Sequence, residues 1–161
     1  MATRPISNIR LVKSLHGGGA EMSGPEGATQ TFLVGAPLAW ASGYLQEAGS
    51  DPTAIVGIAA EPGHNAAASG DNRIAYWPLT GNVFEANLAQ AASNTTSATT
   101  SIGTLYGIVK RSSGTVHWVV DSSDTTNTRC VIVDFAAPSV ATDVNARVLI
   151  HFLQANDALT A

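Results

Sequence analysis

The side chains with which this chain could bind a metal or move a proton are few: four histidines, one cysteine and a scattering of carboxylates. No two of His16, His64, His117 and His151 lie two to five residues apart, so neither HExxH nor HxH occurs. A zinc site would have to be assembled from distant segments rather than read from one motif. His117 and His151 alternate with apolar neighbours, the pattern of solvent-facing or hydrogen-bonded strand residues. A serine nucleophile needs a sharp turn and an oxyanion hole beside it, and no Gly-x-Ser-x-Gly is present. Asp121 and Asp124 share the loop DSSDTTN, whose hydroxyls and amide make calcium conceivable. The loop lacks the ligand order and the distal glutamate of a calcium hand, so it reads as a solvated turn. Glu61-Pro62-Gly63-His64-Asn65 has the composition of an enzyme loop and equally of an ordinary polar turn. Cys130 sits in the apolar run Arg129-Cys130-Val131-Ile132-Val133 and reads as a small buried hydrophobe. A single cysteine excludes an internal disulfide and every multi-cysteine metal site. No catalytic, cofactor-binding or metal-binding residue is assigned, and no cofactor is expected.

Composition points the same way. The chain has 161 residues, enough for one domain, and 45 % are hydrophobic, enough for a core. Only 12 % are charged, about half the usual share. A net charge of −4 with eight Lys+Arg argues against nucleic-acid binding, which requires a basic stripe. No stretch reaches the ~20 apolar residues that cross a bilayer, and the N-terminus has no apolar signal core, so synthesis in the cytoplasm is expected. With 26 Ala, 16 Thr and 14 Ser, solubility rests on small polar groups, or much of the surface is covered in an assembly.

The elements that would position these residues are strands. Thr31–Val34, Leu38–Trp40, Tyr44–Ala48, Ala54–Ala60, Arg73–Leu79, Val83–Leu88, Leu105–Lys110, Val116–Asp121, Cys130–Phe135 and Arg147–Leu153 are β-branched or alternating runs separated by turn signals. Ser42-Gly43 and Ser112-Ser113-Gly114 read as turns, and Gly57 as a bulge or close approach. A short helix is possible at Leu88–Ala92. The expected class is all-β, a closed sheet or sandwich. Its expected core includes Val56, Ile58, Ile108, Val119, Val131, Val133, Leu149 and Phe152.

Residues 1–30 differ from the rest. Arg4, Arg10 and Lys13 are interspersed with Ile6, Ile9, Leu11, Val12 and Leu15, ahead of the three glycines Gly17–Gly19. The aliphatics give no helical stripe. This reads as an extended arm on a hinge, residues 1–30, ahead of a body, residues 31–161. Such an arm would be ordered only on a partner, adding to a sheet edge. The alternative is that it forms the first strand of the body's own barrel. Among the aromatics, adjacent Tyr76 and Trp77 must point to opposite faces, one to the core and one to an interface or a sugar.

The layout from Phe32 to Leu153 resembles the capsid decoration (cement, or head auxiliary) proteins of tailed bacteriophages. The carrying segments are Gly35-Ala36-Pro37-Leu38 with Ser42–Ala48, Ala54–Glu61, Ile74–Ala86, Ile102–Ile108, Trp118–Asp121 and Asn145–Leu153. The resemblance implies a compact small β-barrel or β-tulip-like body with an extended N-terminal arm. It implies no enzyme, but a homotrimer on the outer surface of the virion. The partner would be the major capsid protein of the same particle, contacted through Arg4, Ile6, Ile9, Arg10, Leu11, Val12 and Lys13. Neighbouring subunits would meet at Tyr76, Trp77, Pro78 and Leu79. The alternative function is a tail, fibre or carbohydrate-binding β-module using Trp40 or Tyr76/Trp77.

Overall fold

A computed structural model describes residues 1–15, 20–111 and 116–154. The chain is all-β, with eleven strands and a single 3-10 turn (Thr99–Ser101) among the described residues. The strands are β1 (Arg10–Ser14), β2 (Met22–Pro25), β3 (Pro37–Ala41), β4 (Tyr44–Glu47), β5 (Gly57–Ala59), β6 (Arg73–Pro78), β7 (Asn82–Ala89), β8 (Leu105–Arg111), β9 (His117–Asp121), β10 (Cys130–Phe135) and β11 (Arg147–Phe152).

They form two sheets. The larger runs β1-β7-β11-β10-β8-β9, and β9 returns to pair in parallel with the far end of β7 through Leu88↔Val120 and Ala89↔Asp121. Strands β7, β11, β10, β8 and β9 therefore close into a ring. The smaller runs β2-β6-β5-β3-β4, and a parallel bridge between Glu26 and Leu45 joins its two ends. One continuous apolar cluster spans both sheets, from Leu38, Ile58, Ile74 and Tyr76 to Phe84, Ile108, Trp118, Ile132 and Ile150. Phe152 is half-buried and meets Phe84 edge to face, ring centroids 5.5 Å apart. No helix among the described residues is long and apolar enough to cross a membrane.

Local signals explain several elements. Ser42 and Gly43 both have positive φ, 51° and 85°, and Ala41 pairs with Tyr44. That is the two-residue turn whose twist matches a hairpin. A Cβ on Gly57 would lie 2.5 Å from the Trp77 carbonyl oxygen, so β5 and β6 approach as closely as only glycine permits.

Three expectations are corrected. Thr31–Val34 is not a strand: Phe32 is buried, but Leu33 and Val34 are exposed on an irregular segment. Leu88–Ala92 is not a helix, because β7 continues extended to Ala89. Along β10 and β11 the buried phase is the opposite one. Cys130, Ile132, Val148 and Ile150 face the core, while Val131 and Leu149 are half-buried and Val133 is exposed. Val56, Ile58, Ile108 and Val119 are buried.

Candidate functional site: the N-terminal face

The N-terminal segment lies on the body. β1 pairs antiparallel with β7, Arg10 opposite Glu85 and Leu11 opposite Phe84. Ile9 is fully buried in the common core, and Leu11 packs against it. Ahead of β1, Asn87 binds the segment from below: its Oδ1 accepts from Ser7 N–H (3.0 Å), and its Nδ2 donates to the Pro5 carbonyl (3.1 Å). Residues 2–4 run beside Val144, with Arg4 N–H donating to its carbonyl and its own N–H donating to Ala2. Residues 22–25 form β2 of the smaller sheet. The proposed division at residue 30 thus has residues of the arm inside both sheets. The glycines at 17–19, with His16, lie outside the described residues, as does the Ser112–Gly114 turn.

The reason is visible in β7. Phe84, Ala86 and Leu88 face the core, and Val83, Glu85 and Asn87 face the other way, yet all eight residues of the strand are buried. The N-terminal segment and the 137–147 segment cover this second face. Two buried carboxylates there are matched with arginines. Asp143, 1 % exposed, accepts from Ala2 N–H (2.8 Å) and from Arg4 Nε (2.7 Å). The Ala2 hydrogen bond, with Arg4 adding to it, holds the Asp143 carboxyl below the usual carboxylate range. Glu85, 4 % exposed, takes Arg10 on one oxygen (Nε 2.8 Å, Nη2 2.5 Å) and Arg147 on the other. The Arg147 Nη2 is the one buried side-chain nitrogen or oxygen among the described residues with no hydrogen-bond partner. A cleft of about 370 Å³ opens at this triad, walled by Ser7, Asn8 and Pro138.

Of the residues expected to contact a partner, Ile9 is core, Ile6 and Leu11 are half-buried, and Arg4 is spent on Asp143. Arg10, Val12 and Lys13 remain exposed on β1, whose outer edge carries no strand among the described residues. The expected subunit-contact set divides. Tyr76 and Leu79 are buried within the chain, 2 % and 3 % exposed, while Trp77 and Pro78 are half-buried. β6 has a partner on each side, β2 and β5, so it presents no free edge. The phase reversal in β10 leaves Val133, which the sequence places in the core, exposed. Ile102, Leu105 and Val133 are each about two-fifths exposed, and Leu105 pairs with Val131.

The possible chemical centres have structural uses. Asp121 Oδ1 accepts from Ser123 N–H and Oγ–H, and Asp124 Oδ1 accepts from the amides of Thr126 and Asn127. Each carboxylate thus fastens its own loop. His64 is joined to the fully buried Glu26, Nδ1 to Oε2 2.6 Å, and its amide donates to the other oxygen. That pair seats the 61–65 loop against the end of β2. His117 Nδ1 meets Asn8 Oδ1, and desolvation lowers its pKa. Burial pushes the Cys130 thiol up to about 12. A second cavity of about 210 Å³ lies between the sheets. Its Glu47 accepts from both Lys110 Nζ (2.6 Å) and Trp118 Nε1 (3.0 Å). No group of three or more metal-ligating side chains occurs among the described residues.

No family model, curated protein or solved structure matches this chain. Glu85, Asn87, Asp143 and Arg147 were missed by sequence reasoning. The signal for the first two was present, as the polar phase of an alternating strand, but it reads as a solvent face.

Proposed function

We propose that this chain is a non-enzymatic structural protein of a tailed-phage virion, a decoration protein that binds the outer surface of the capsid lattice and stabilises the mature head. The reading rests on the layout of its β-segments, on its charge-poor small-residue composition, and on one geometric observation. β1 is an edge strand whose outer side is unpaired among the described residues, and it presents Arg10, Val12 and Lys13. An exposed edge is the element through which one chain adds to another's sheet, and basic side chains along it speed encounter with an acidic surface. The contact is then made by a preformed edge rather than by a free arm. Copies of the chain meet through the exposed apolar side chains Ile102, Leu105 and Val133. Binding to the mature lattice alone would stabilise it by mass action.

The test is co-sedimentation of purified protein with expanded heads and with precursor shells of the encoding phage, followed by electron cryo-microscopy of the bound particle. Saturable binding to expanded heads, with β1 facing the major capsid protein, supports the reading. Absence of binding to either form overturns it. One observation favours the carbohydrate-binding alternative: Trp40 is 43 % exposed on β3. Glycan capture lost in Trp40→Ala, without head binding, would establish that reading instead.

A further inference from the structure

We propose that the cavity between the two sheets binds a phenol, an aromatic ring carrying one hydroxyl, supplied as a free small molecule or as a tyrosine side chain. The decoration reading needs no such ligand, so the two stand or fall separately. No single element builds the site. Glu47 comes from β4 of the smaller sheet, Lys110 and Trp118 from β8 and β9 of the larger, and Phe32 and Leu33 from the irregular segment before β3. The cavity holds about 210 Å³. An apolar cavity of roughly 150 Å³ takes a benzene ring, so this one has room for a ring with a substituent. Phe32 and Trp118 form the buried part of its wall, while Leu33 and Val116, 46 % and 44 % exposed, line it from the solvent side. A ring seated there removes the apolar surface of Leu33 and Val116 from water.

The polar end decides the chemistry. Glu47 accepts from Trp118 Nε1 on one oxygen (3.0 Å) and from Lys110 Nζ on the other (2.6 Å). The indole N–H is thereby spent. The Lys110 ammonium has three donors, of which Glu47 takes one, and its side chain is 38 % exposed. Each Glu47 oxygen carries one bond and has a lone pair for a second. The ion pair is neutral as a whole and offers a donor and an acceptor side by side. A hydroxyl answers both, accepting from Lys110 and donating to Glu47. An anionic ligand would meet Glu47 with like charge, and a cationic one Lys110. A sugar would press its remaining hydroxyls against Phe32, Leu33 and Val116, which cannot bond them. A phenol is uncharged near pH 7 and polar at one end only.

The experiment is a heteronuclear NMR titration of the whole, isotope-labelled protein at pH 7. The probes are p-cresol, toluene, p-toluate, 4-methylbenzylamine and N-acetyltyrosinamide, each in its own arm. Cresol should shift the Trp118 indole N–H and the Leu33 and Val116 methyls saturably. It should bind at least about fivefold more tightly than toluene, the equivalent of one net hydrogen bond, and more tightly than either charged probe. Lys110→Met should bring cresol down to the affinity of toluene. That readout is a ratio of two affinities in one folded protein, so a small loss of stability leaves it valid. Leu33→Ala, at an exposed position, should weaken cresol and toluene alike. N-acetyltyrosinamide binding at least as tightly as cresol supports the phenol as a tyrosine side chain; weaker binding supports it as a free molecule. Toluene equal to cresol overturns the proposal, as does tighter binding of p-toluate or 4-methylbenzylamine, or no saturable shift up to about 5 mM cresol. A cresol preference that survives in Lys110→Met overturns the assigned polar end.

Discussion

Replacing Ile9 by Ala asks directly whether the N-terminal segment belongs to the fold. Ile9 has no exposed surface and packs in the apolar cluster shared by both sheets, whereas Val12, three residues on, is 48 % exposed. Truncating a buried isoleucine removes its transfer free energy and leaves a cavity, at a cost of about 3 kcal/mol. For a chain of this size each kcal/mol lowers the melting temperature by roughly 2–4 °C, so Ile9→Ala should melt about 6–12 °C below the parent. Val12→Ala, a partly solvated site without cap or ion pair, should stay within about 0.5 kcal/mol, or roughly 1–2 °C. Differential scanning calorimetry on both variants, with urea titration to check that the slope is unchanged, measures the contrast. A free arm would make the two substitutions equivalent. Melting temperatures for Ile9→Ala and Val12→Ala within 1 °C of each other would refute the placement of the segment.

Further outcomes follow from other positions. The folded chain keeps the Asp143 charge at pH values where the unfolded chain has taken a proton. The resulting stability is full above about pH 4 and is lost as pH falls through the lower folded value; urea midpoints from pH 6 to pH 2 should fall less steeply in Asp143→Asn. With the Cys130 thiol held near 12 against an ordinary 9.0, the native protein should resist thiol reagents at pH 8 and react on denaturation, and its stability should decline above about pH 9 as the unfolded thiol ionises. Gly57→Ala would force a Cβ to within 2.5 Å of the Trp77 carbonyl oxygen and should cost several degrees of melting temperature more than Gly43→Ala, where the new Cβ meets nothing within 4 Å and only the positive φ is penalised, by about 1 kcal/mol. On the proposed assembly through Ile102, Leu105 and Val133, Val133→Glu should reduce the sedimentation mass to that of a monomer at unchanged melting temperature; an oligomer that persists, or a parent chain that is itself a monomer, removes these residues as the subunit contact.

The fold class was legible because strand signals are local. Ser42-Gly43 between apolar runs specifies a hairpin turn, and the close approach at Gly57 is announced by a glycine within a buried run. The phase of β10 was not legible, because Val131, Ile132 and Val133 are all β-branched and either alternation satisfies the pattern. A register shift between Ile132 and Asp134 against β11 then ends the simple alternation. The candidate site was the least legible part. Its members come from β1, β7 and β11, brought together only by pairing across the sheet. Nothing along the sequence marks Glu85 as a buried acid, because its burial is supplied by a segment 75 residues away.

That dependence bears on how the chain would act in a lattice. With the N-terminus free, Glu85 and Asn87 would face water on the second face of β7, beside Arg147 and the Asn145 carbonyl, and the docked segment that buries them has to supply partners in exchange for that water. With the segment docked, Glu85 gains Arg10, and Asn87 gains the Ser7 amide and the Pro5 carbonyl. The conformational entropy of ordering residues 2–14 is therefore spent during folding. An arm that orders on its partner spends it during binding, at a cost of about 2–5 kcal/mol of the gross interaction. On the proposed function, a preformed β1 edge would avoid that cost at each lattice site. It can thus bind through a small patch of Arg10, Val12 and Lys13, where a disordered arm would need a larger contact for the same affinity. The same economy sets a limit: a rigid edge fits one spacing of the surface it meets, whereas an arm adapts to several. On the proposed decoration function, selectivity for an expanded lattice over its precursor would then be a geometric consequence of β1 being built into the sheet.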